Sequence, residues 1–450
     1  MKKREVREVM YNKQQQYPWR CILLVMLLIG ATNSSYANFG LNPYISGLGD
    51  SGAGGAAVSD DATTAFINPA GLVNLNKQQW LYPVLIYRPS IGFKNTGSKD
   101  ALGVSNNTGN GGDTGTFTVA PSLYYAYPLS NKTGLGFSIN SPFGLSSEYD
   151  DNWTGRYHSI KTSITTLTLT SSLGYQLNEQ WSTGVGVNFQ RTQAVLSNAL
   201  DFGAICLSAL DAGTCASLGL PAPQSADGKV VHDTDDWGAG FTFGLLWKNT
   251  NTHAGFSYRS KVTHSLSGNA KYTTPSSAFS PMFSNTDVTT KLTLPEVVSI
   301  NIQHKISQNT SLLTGTTLTR WSRIDHITLD YKNPLQTDQT IQKKWKDVWR
   351  TALGFHYQVN PNWRIMSGLA YEQSNIPDEN FEPGIPTSDA TWLNIGAKFQ
   401  WRSNVSLQLA WNHVFFESRS VNRVSVFGDT LNGEIDIEMD VLLAQLNWTL

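Results

Sequence analysis

The side chains able to do chemistry are thinly spread. Eight histidines occur, His158, His232, His253, His264, His304, His326, His356 and His413, scattered over some 250 positions. His158 adjoins Ser159, but a hydrolytic site needs a nucleophile, a base and an orienting acid together. No nucleophile elbow, phosphate loop, His-Glu-x-x-His pair or Cys-x-x-Cys pair is present. The sequence therefore points away from an enzyme and calls for no metal and no cofactor. Of the three cysteines, Cys206 and Cys215 lie close together in one polar stretch. In an exported chain such a pair reads as a disulfide in preference to a metal site. A net charge of −1 argues against nucleic-acid binding, which needs a basic face.

Export is written at the amino terminus. Lys2, Lys3, Arg4, Arg7, Lys13 and Arg20 precede an apolar run from Cys21 to Ala31, and Ser35-Tyr36-Ala37 forms a small-residue cleavage site before Asn38. The run is roughly a dozen residues, short of the ~20 that a spanning helix needs. Residues 1–37 are thus expected to be a cleaved signal, and Met10 is an alternative start. After Ala37 no comparable run follows. Charged residues make up 15% of the chain, aromatics 11%, and there are 14 Trp. Against about 25% charge in ordinary soluble domains, that balance suits an exported barrel embedded in lipid.

The elements that would carry any site are period-two strands. Leu442, Ala444, Leu446, Trp448 and Leu450 share one face, opposite Leu443, Gln445, Asn447 and Thr449. Val405, Leu407, Leu409 and Trp411 alternate with Ser406, Gln408, Ala410 and Asn412, and similar alternation recurs at 166–175, 298–303 and 393–400. A strand with one face on lipid and one on a lumen must read this way. A soluble sandwich also alternates, but here the connections sort into two alternating classes. Short ones fall at 128–132, 178–180, 248–251, 307–309, 359–362 and 402–404; long ones fall near 94–115, 144–159, 198–235, 267–288, 324–346, 374–388 and 416–435. Short periplasmic turns and long extracellular loops are the mark of an outer-membrane barrel. The fold class expected is all-β, a transmembrane antiparallel barrel of about 14 strands over residues 77–450. Residues 38–76 do not alternate, and their Gly- and Ala-rich stretch suits a plug in a lumen too wide for side chains alone.

Several stretches resemble one family, the FadL-type outer-membrane transporters of long-chain fatty acids, which include the toluene and xylene uptake proteins. Gly47-Leu48-Gly49, Ser59-Asp60-Asp61-Ala62 and Asn68-Pro69-Ala70 look like that family's N-terminal hatch. Asn140-Ser141-Pro142-Phe143-Gly144, Trp153-Thr154-Gly155-Arg156-Tyr157, the run 175–181, Leu294-Pro295-Glu296 and 349–371 are similar to further family stretches. One departure is the last residue, Leu450, where many such barrels end in Phe for the barrel assembly machinery.

The resemblance implies a passive path for hydrophobic molecules, capture between two extracellular loops, release past the hatch or through the wall into outer-membrane lipid, and a monomer. Leu200, Phe202, Ile205 and Leu207, with Phe279, Met282 and Phe283, are the groove candidates; the other reading is that they pack the loops into a cap. Pro142 is the candidate kink for a wall opening, or else ends its strand. Asn68-Pro69-Ala70 reads as a hatch hinge, or as an ordinary turn. For an anionic head group, Arg156 is the first candidate, ahead of Arg259, Lys261, Lys291 and Arg320; such residues also serve as wall-lining ion pairs. Long-chain fatty acids are the expected cargo. The alternatives are an aromatic-hydrocarbon channel, a non-specific porin or structural barrel, and lastly a barrel enzyme.

Overall fold

The computed structural model describes residues 46–220 and 222–450. The expected signal, 1–37, and the start of the expected hatch, 38–45, lie outside the described residues. The rest is a closed antiparallel barrel of 14 strands. The strands are β1 (Gln79–Asn95), β2 (Thr118–Pro121 continued by Leu123–Ser130), β3 (Thr133–Asn140, then Gly144–Glu148), β4 (Lys161–Gln176), β5 (Trp181–Asp201), β6 (Asp227–Lys248) and β7 (Thr252–Arg259, then Val262–Thr273). They continue as β8 (Thr286–Leu294, then Val297–Lys305), β9 (Thr310–Thr319), β10 (Val348–Asn360), β11 (Trp363–Glu372), β12 (Ala390–Arg402), β13 (Val405–Phe416) and β14 (Thr430–Thr449). The ring closes where β1 pairs with β14 from Gln79↔Thr449 to Asn95↔Gly433. The connections fall into the expected classes, with tight turns at one end and long loops at the other.

Alternation translates into two faces. Phe189, Phe241, Leu353, Leu369, Ile395 and Leu409 point outward and exposed, whereas their strand neighbours Asn188, Thr242, Ala352, Ala370, Asn394 and Gln408 are buried in the bore. Aromatic residues bound the apolar belt: Trp237, Trp349, Tyr371 and Phe415 on the loop side, Trp181, Trp363 and Trp401 on the turn side. Trp237 and Trp247 on β6 are ten positions apart, about 25 Å of height at the usual rise and tilt, as a lipid-facing band requires. The strands β5 and β6 overshoot this band. They stay paired from Trp181↔Trp247 to Asp201↔Asp227, and their outer halves turn polar Asp233 and Asp235 outward. The two ends of the long connection expected near 198–235, residues 198–201 and 227–235, are therefore strand, because cross-strand pairing persists in water above the belt.

β3 is broken in the middle. Asn140 pairs with Thr168 but Gly144 pairs with Thr165, so residues 141–143 face only two residues of β4. Thr166 fills the gap in the ladder: its Oγ1 accepts from Phe143 N (3.0 Å) and donates to Phe143 O (2.6 Å). Pro142, which has no N–H to lose, sits in this bulge, and the strand resumes at Gly144. β2 pairs with β3 only from Leu123↔Ile139 to Ser130↔Thr133. Among the described residues the outer half of β3 pairs with β4 alone, and the loop after β11 covers it through Ser147 Oγ to Gly384 O (2.9 Å) and Tyr149 OH to Pro383 O (3.0 Å).

Residues 46–76 lie inside the ring and run round its inner wall. A turn at Leu48–Asp50 meets β10 to β13, the stretch 52–57 crosses β7 to β9, and a short helix α1 (Thr64–Ile67) leads to a 3₁₀ turn (Pro69–Asn74) lying on β2 to β6. An irregular segment buried this way must find partners for its amides. Asn301 accepts from Ala56 N (2.9 Å) and donates to Ala53 O (2.9 Å). Asn394 donates to Leu48 O (2.6 Å), Arg350 to Ser51 O (2.8 Å), and Ser182 to Ala70 O (2.8 Å). Asn68 donates to Ala56 O (2.7 Å) and Leu245 O (3.1 Å) while capping the turn at Ala70 N.

The segment sits so close that the wall carries glycine where it passes. A Cβ on Gly255 would stand 2.0 Å from Ala56 O, and one on Gly184 would stand 2.4 Å from Pro69 C. Gly255→Val should therefore push residues 52–57 off the wall, at a cost of about 1–3 kcal/mol. In that variant a cysteine placed at the buried Ser51 is expected to become reactive to a polar maleimide. The control is Gly92→Val, where an added Cβ meets nothing within 4 Å; equal labelling in the two would show that the close fit has no consequence.

Candidate functional site

At the loop end, β5 leads straight into a helix. Asp201 caps α2 (Phe202–Ala209) by accepting from Ala204 N at 2.9 Å, and Asp211 caps α3 (Ala212–Ser217) by accepting from Thr214 N at 3.0 Å. A disulfide between Cys206 and Cys215, with Cα atoms 5.8 Å apart, ties the two helices. Around it Leu200, Phe202, Ile205, Leu220 and Val230 are buried, with Leu207, Tyr272, Phe279 and Phe283 packed against them. The ring of Phe202 meets Phe279 at 5.5 Å and Phe283 at 5.1 Å, edge to face. Gly228 makes room for it, since a Cβ there would be 2.3 Å from the Phe202 ring. Of the groove candidates only Met282 stands apart, 48% exposed. The two loops thus close on each other in an apolar cluster above the bore.

Arg156 is not held out to a ligand. Its Nε donates to Asp227 Oδ2 at 2.7 Å, Nη2 to Tyr157 OH at 2.6 Å, and Nη1 to Thr108 Oγ1 (3.2 Å) and Trp153 O (3.3 Å). Tyr157 OH in turn donates to the other Asp227 oxygen at 2.7 Å. Burial, above all, raises the Tyr157 phenol well over its usual range and keeps that proton in place. The Trp-Thr-Gly-Arg-Tyr run that singled out Arg156 is a folded loop: Trp153 stacks on Tyr149 at 3.9 Å and donates to Ser159 O at 2.8 Å. His158 makes no pair with Ser159, whose hydroxyl contacts Thr162 at 3.2 Å. Burial, with Arg423 nearby, pushes His158 down to about 4, so it is neutral at neutral pH.

The other cations divide. Lys261 and Lys291 occupy outward positions between buried neighbours, on the wall above the belt. This corrects the expectation that they line the lumen: the breaks in β7 between Arg259 and Val262 and in β8 between Leu294 and Val297 shift the alternation by one. Arg320 pairs with Asp347 (3.2 Å) and Glu296 (3.8 Å). Arg259 does face inward, donating to Phe66 O at 2.6 Å with its guanidinium over the Phe66 ring.

The inner contacts of the plug were not singled out beforehand. His356 Nε2 lies 2.6 Å from Asp50 Oδ2, both buried. Asp60 is held by Arg364 at 2.7 Å and Lys398 at 3.4 Å. Their signal was an inward strand phase carrying a charge, as at Lys398 and His356, but only a partner segment gives such a phase meaning. Asn68, Pro69 and Ala70 sit at the junction between α1 and the 3₁₀ turn, with Asn68 extended at φ −149° and ψ 95°.

A belted, closed ring of 14 strands with long loops on one rim defines an outer-membrane β-barrel protein. The chain belongs to the outer membrane protein transport protein family (OMPP1/FadL/TodX), whose model matches residues 27–449. A relative, the long-chain fatty acid transport protein of Escherichia coli O6:H1, is 27% identical over 417 residues, covering 87% of this chain and 90% of that one. In fold the chain is similar to a Pseudomonas aeruginosa FadL homologue, with TM-score 0.82 at 23% identity over 91% of this chain and 98% of the other. It is also similar to the Pseudomonas putida toluene transporter TodX, with TM-score 0.66 at 16% identity, covering 89% and 98%.

Because Arg156 is already satisfied by Asp227, Arg156→Gln should loosen the outer loops and leave ligand affinity nearly unchanged. Breaking a mostly buried pair costs about 3 kcal/mol, to be read as faster protease cleavage within 149–160 and 202–226. A drop in fatty-acid binding with intact loops would return Arg156 to the role of head-group ligand.

Proposed function

We propose that the chain carries hydrophobic compounds passively across the outer membrane, with long-chain fatty acids as the main cargo. The observation that carries this is a greasy, disulfide-tied loop cluster above a bore occupied by the chain's own leading segment, where a sugar porin needs an open aqueous lumen. The relatives, a long-chain fatty acid transport protein and a toluene transporter, agree with that substrate class. Capture is driven by removing apolar surface from water, about 25 cal/mol per Å². An incoming chain would part the contacts of Phe202 with Phe279 and Phe283, which are edge contacts worth about 1 kcal/mol each. Release would follow a shift of residues 46–76 (the hatch), with Asn68-Pro69-Ala70 as its hinge, or passage sideways where β2 and β3 part at Pro142. We place the barrel at residues 77–450.

An aromatic hydrocarbon is the second reading, favoured by Arg156 being already engaged by Asp227 and Tyr157. Labelled hexadecanoate and toluene, offered to Gram-negative cells lacking their own transporter, separate the readings. Hexadecanoate uptake should rise at least tenfold on expression, while Phe202→Asp, which puts a charge in the cluster, should remove most of the gain. Restored sugar permeability without uptake of either hydrophobe would make the protein a porin instead.

A further inference from the structure

At the tight-turn end, between residues 46–67 and the wall, lies a narrow cleft. Its lining mixes apolar Val58, Ile67 and Met366 with Asp60, Arg364 and Lys398. Arg364 follows the turn after β10, and Lys398 lies near the end of β12. Both cations reach the same oxygen, Asp60 Oδ2, at 2.7 and 3.4 Å. The other acids nearby are committed elsewhere: Asp50 to His356, and Asp61 to Thr63 and Ser46. Two fixed cations therefore meet at one carboxylate, Asp60.

We propose that this cleft is an exit site for an amphiphile with a carboxylate head, and that the cargo's carboxylate takes the place of Asp60 between Arg364 and Lys398 as it leaves. The inference rests on the fatty-acid reading above and adds the site and the residues. Asp60 acts as an internal stand-in for the ligand. Burial works to raise its carboxyl, but Lys398 and Arg364 hold it well below the usual carboxylate range, so it is charged and exchanges as one anion for another. The exchange swaps one carboxylate for another at the same two cations, and the Asp60 side chain is 39% exposed, so an incoming head group can reach it. Its consequence is mechanical. Asp60 links the middle of this segment to β11 and β12, so displacing it loosens the stretch 58–62 there, while Gln445 still holds Asp61 and Asn301 and Asn394 hold the residues before it. The methyl and methylene groups of Val58, Ile67 and Met366 give the alkyl chain its contact.

The test compares two probes of equal chain length, hexadecanoate and hexadecanol, taken up by cells that lack their own transporter and express the full chain. Arg364→Gln and Lys398→Gln should each lower hexadecanoate uptake about tenfold, the usual worth of a charge-assisted contact, and change hexadecanol uptake less than twofold. Lys398→Arg should restore the acid flux. Hexadecanol serves as the folding control, since a misassembled barrel loses both. Wild-type uptake of both probes, with the variants reducing neither or both alike, overturns the exit site and leaves the function standing. Uptake of neither probe by the wild type overturns the function and the site with it.

Discussion

Hydrocarbon offers no partner to a backbone amide, and that single constraint organises the molecule. Every strand that touches lipid must be paired on both sides, so the sheet has to close, as it does through β1 and β14. Closing 14 strands makes a ring wider than its own inward side chains can fill. Residues 46–76 lie against its inner wall, and because that stretch is irregular it needs its own set of partners. Asn301, Asn394, Arg350 and Ser182 supply them, and Gly184 and Gly255 supply the room.

The same constraint shows where the wall is relaxed. At residues 141–143 the ladder is kept intact by Thr166 standing in for backbone, and above Leu123↔Ile139 the β2 and β3 edges part. This exposed edge is tolerated because the loop after β11 lies against it. Pro142 lies in the break between Thr133–Asn140 and Gly144–Glu148.

The barrel was legible in the sequence because lipid imposes a period. Leu407, Leu409 and Trp411 against Gln408, Ala410 and Asn412 allow one reading, and turns as short as Ser403-Asn404 leave no other place for the chain to reverse. Loop contacts were legible by composition: Leu200, Phe202, Ile205, Leu207, Phe279 and Phe283 did assemble, whereas Met282 did not. Individual polar roles were hidden. Arg156 had the residue type of a head-group ligand, but its partner Asp227 lies 71 positions away on another strand. Lys261 and Lys291 have the odd numbering of lumen residues such as Ser257 and Asn301, and only the breaks at 260–261 and 295–296, which shift the phase, put them outside. The wall glycines looked like loose strand composition until the segment resting on them was in view.

The account stands on the bore being filled by residues 46–76. Ion conductance across planar bilayers, measured for the full chain and for the same chain without those residues, tests this most directly. The account predicts a small, flickering conductance for the full chain and a steady, much larger one after the deletion. Equal conductance in the two would mean that the ring is closed by something else, and the plug would lose its place in the mechanism.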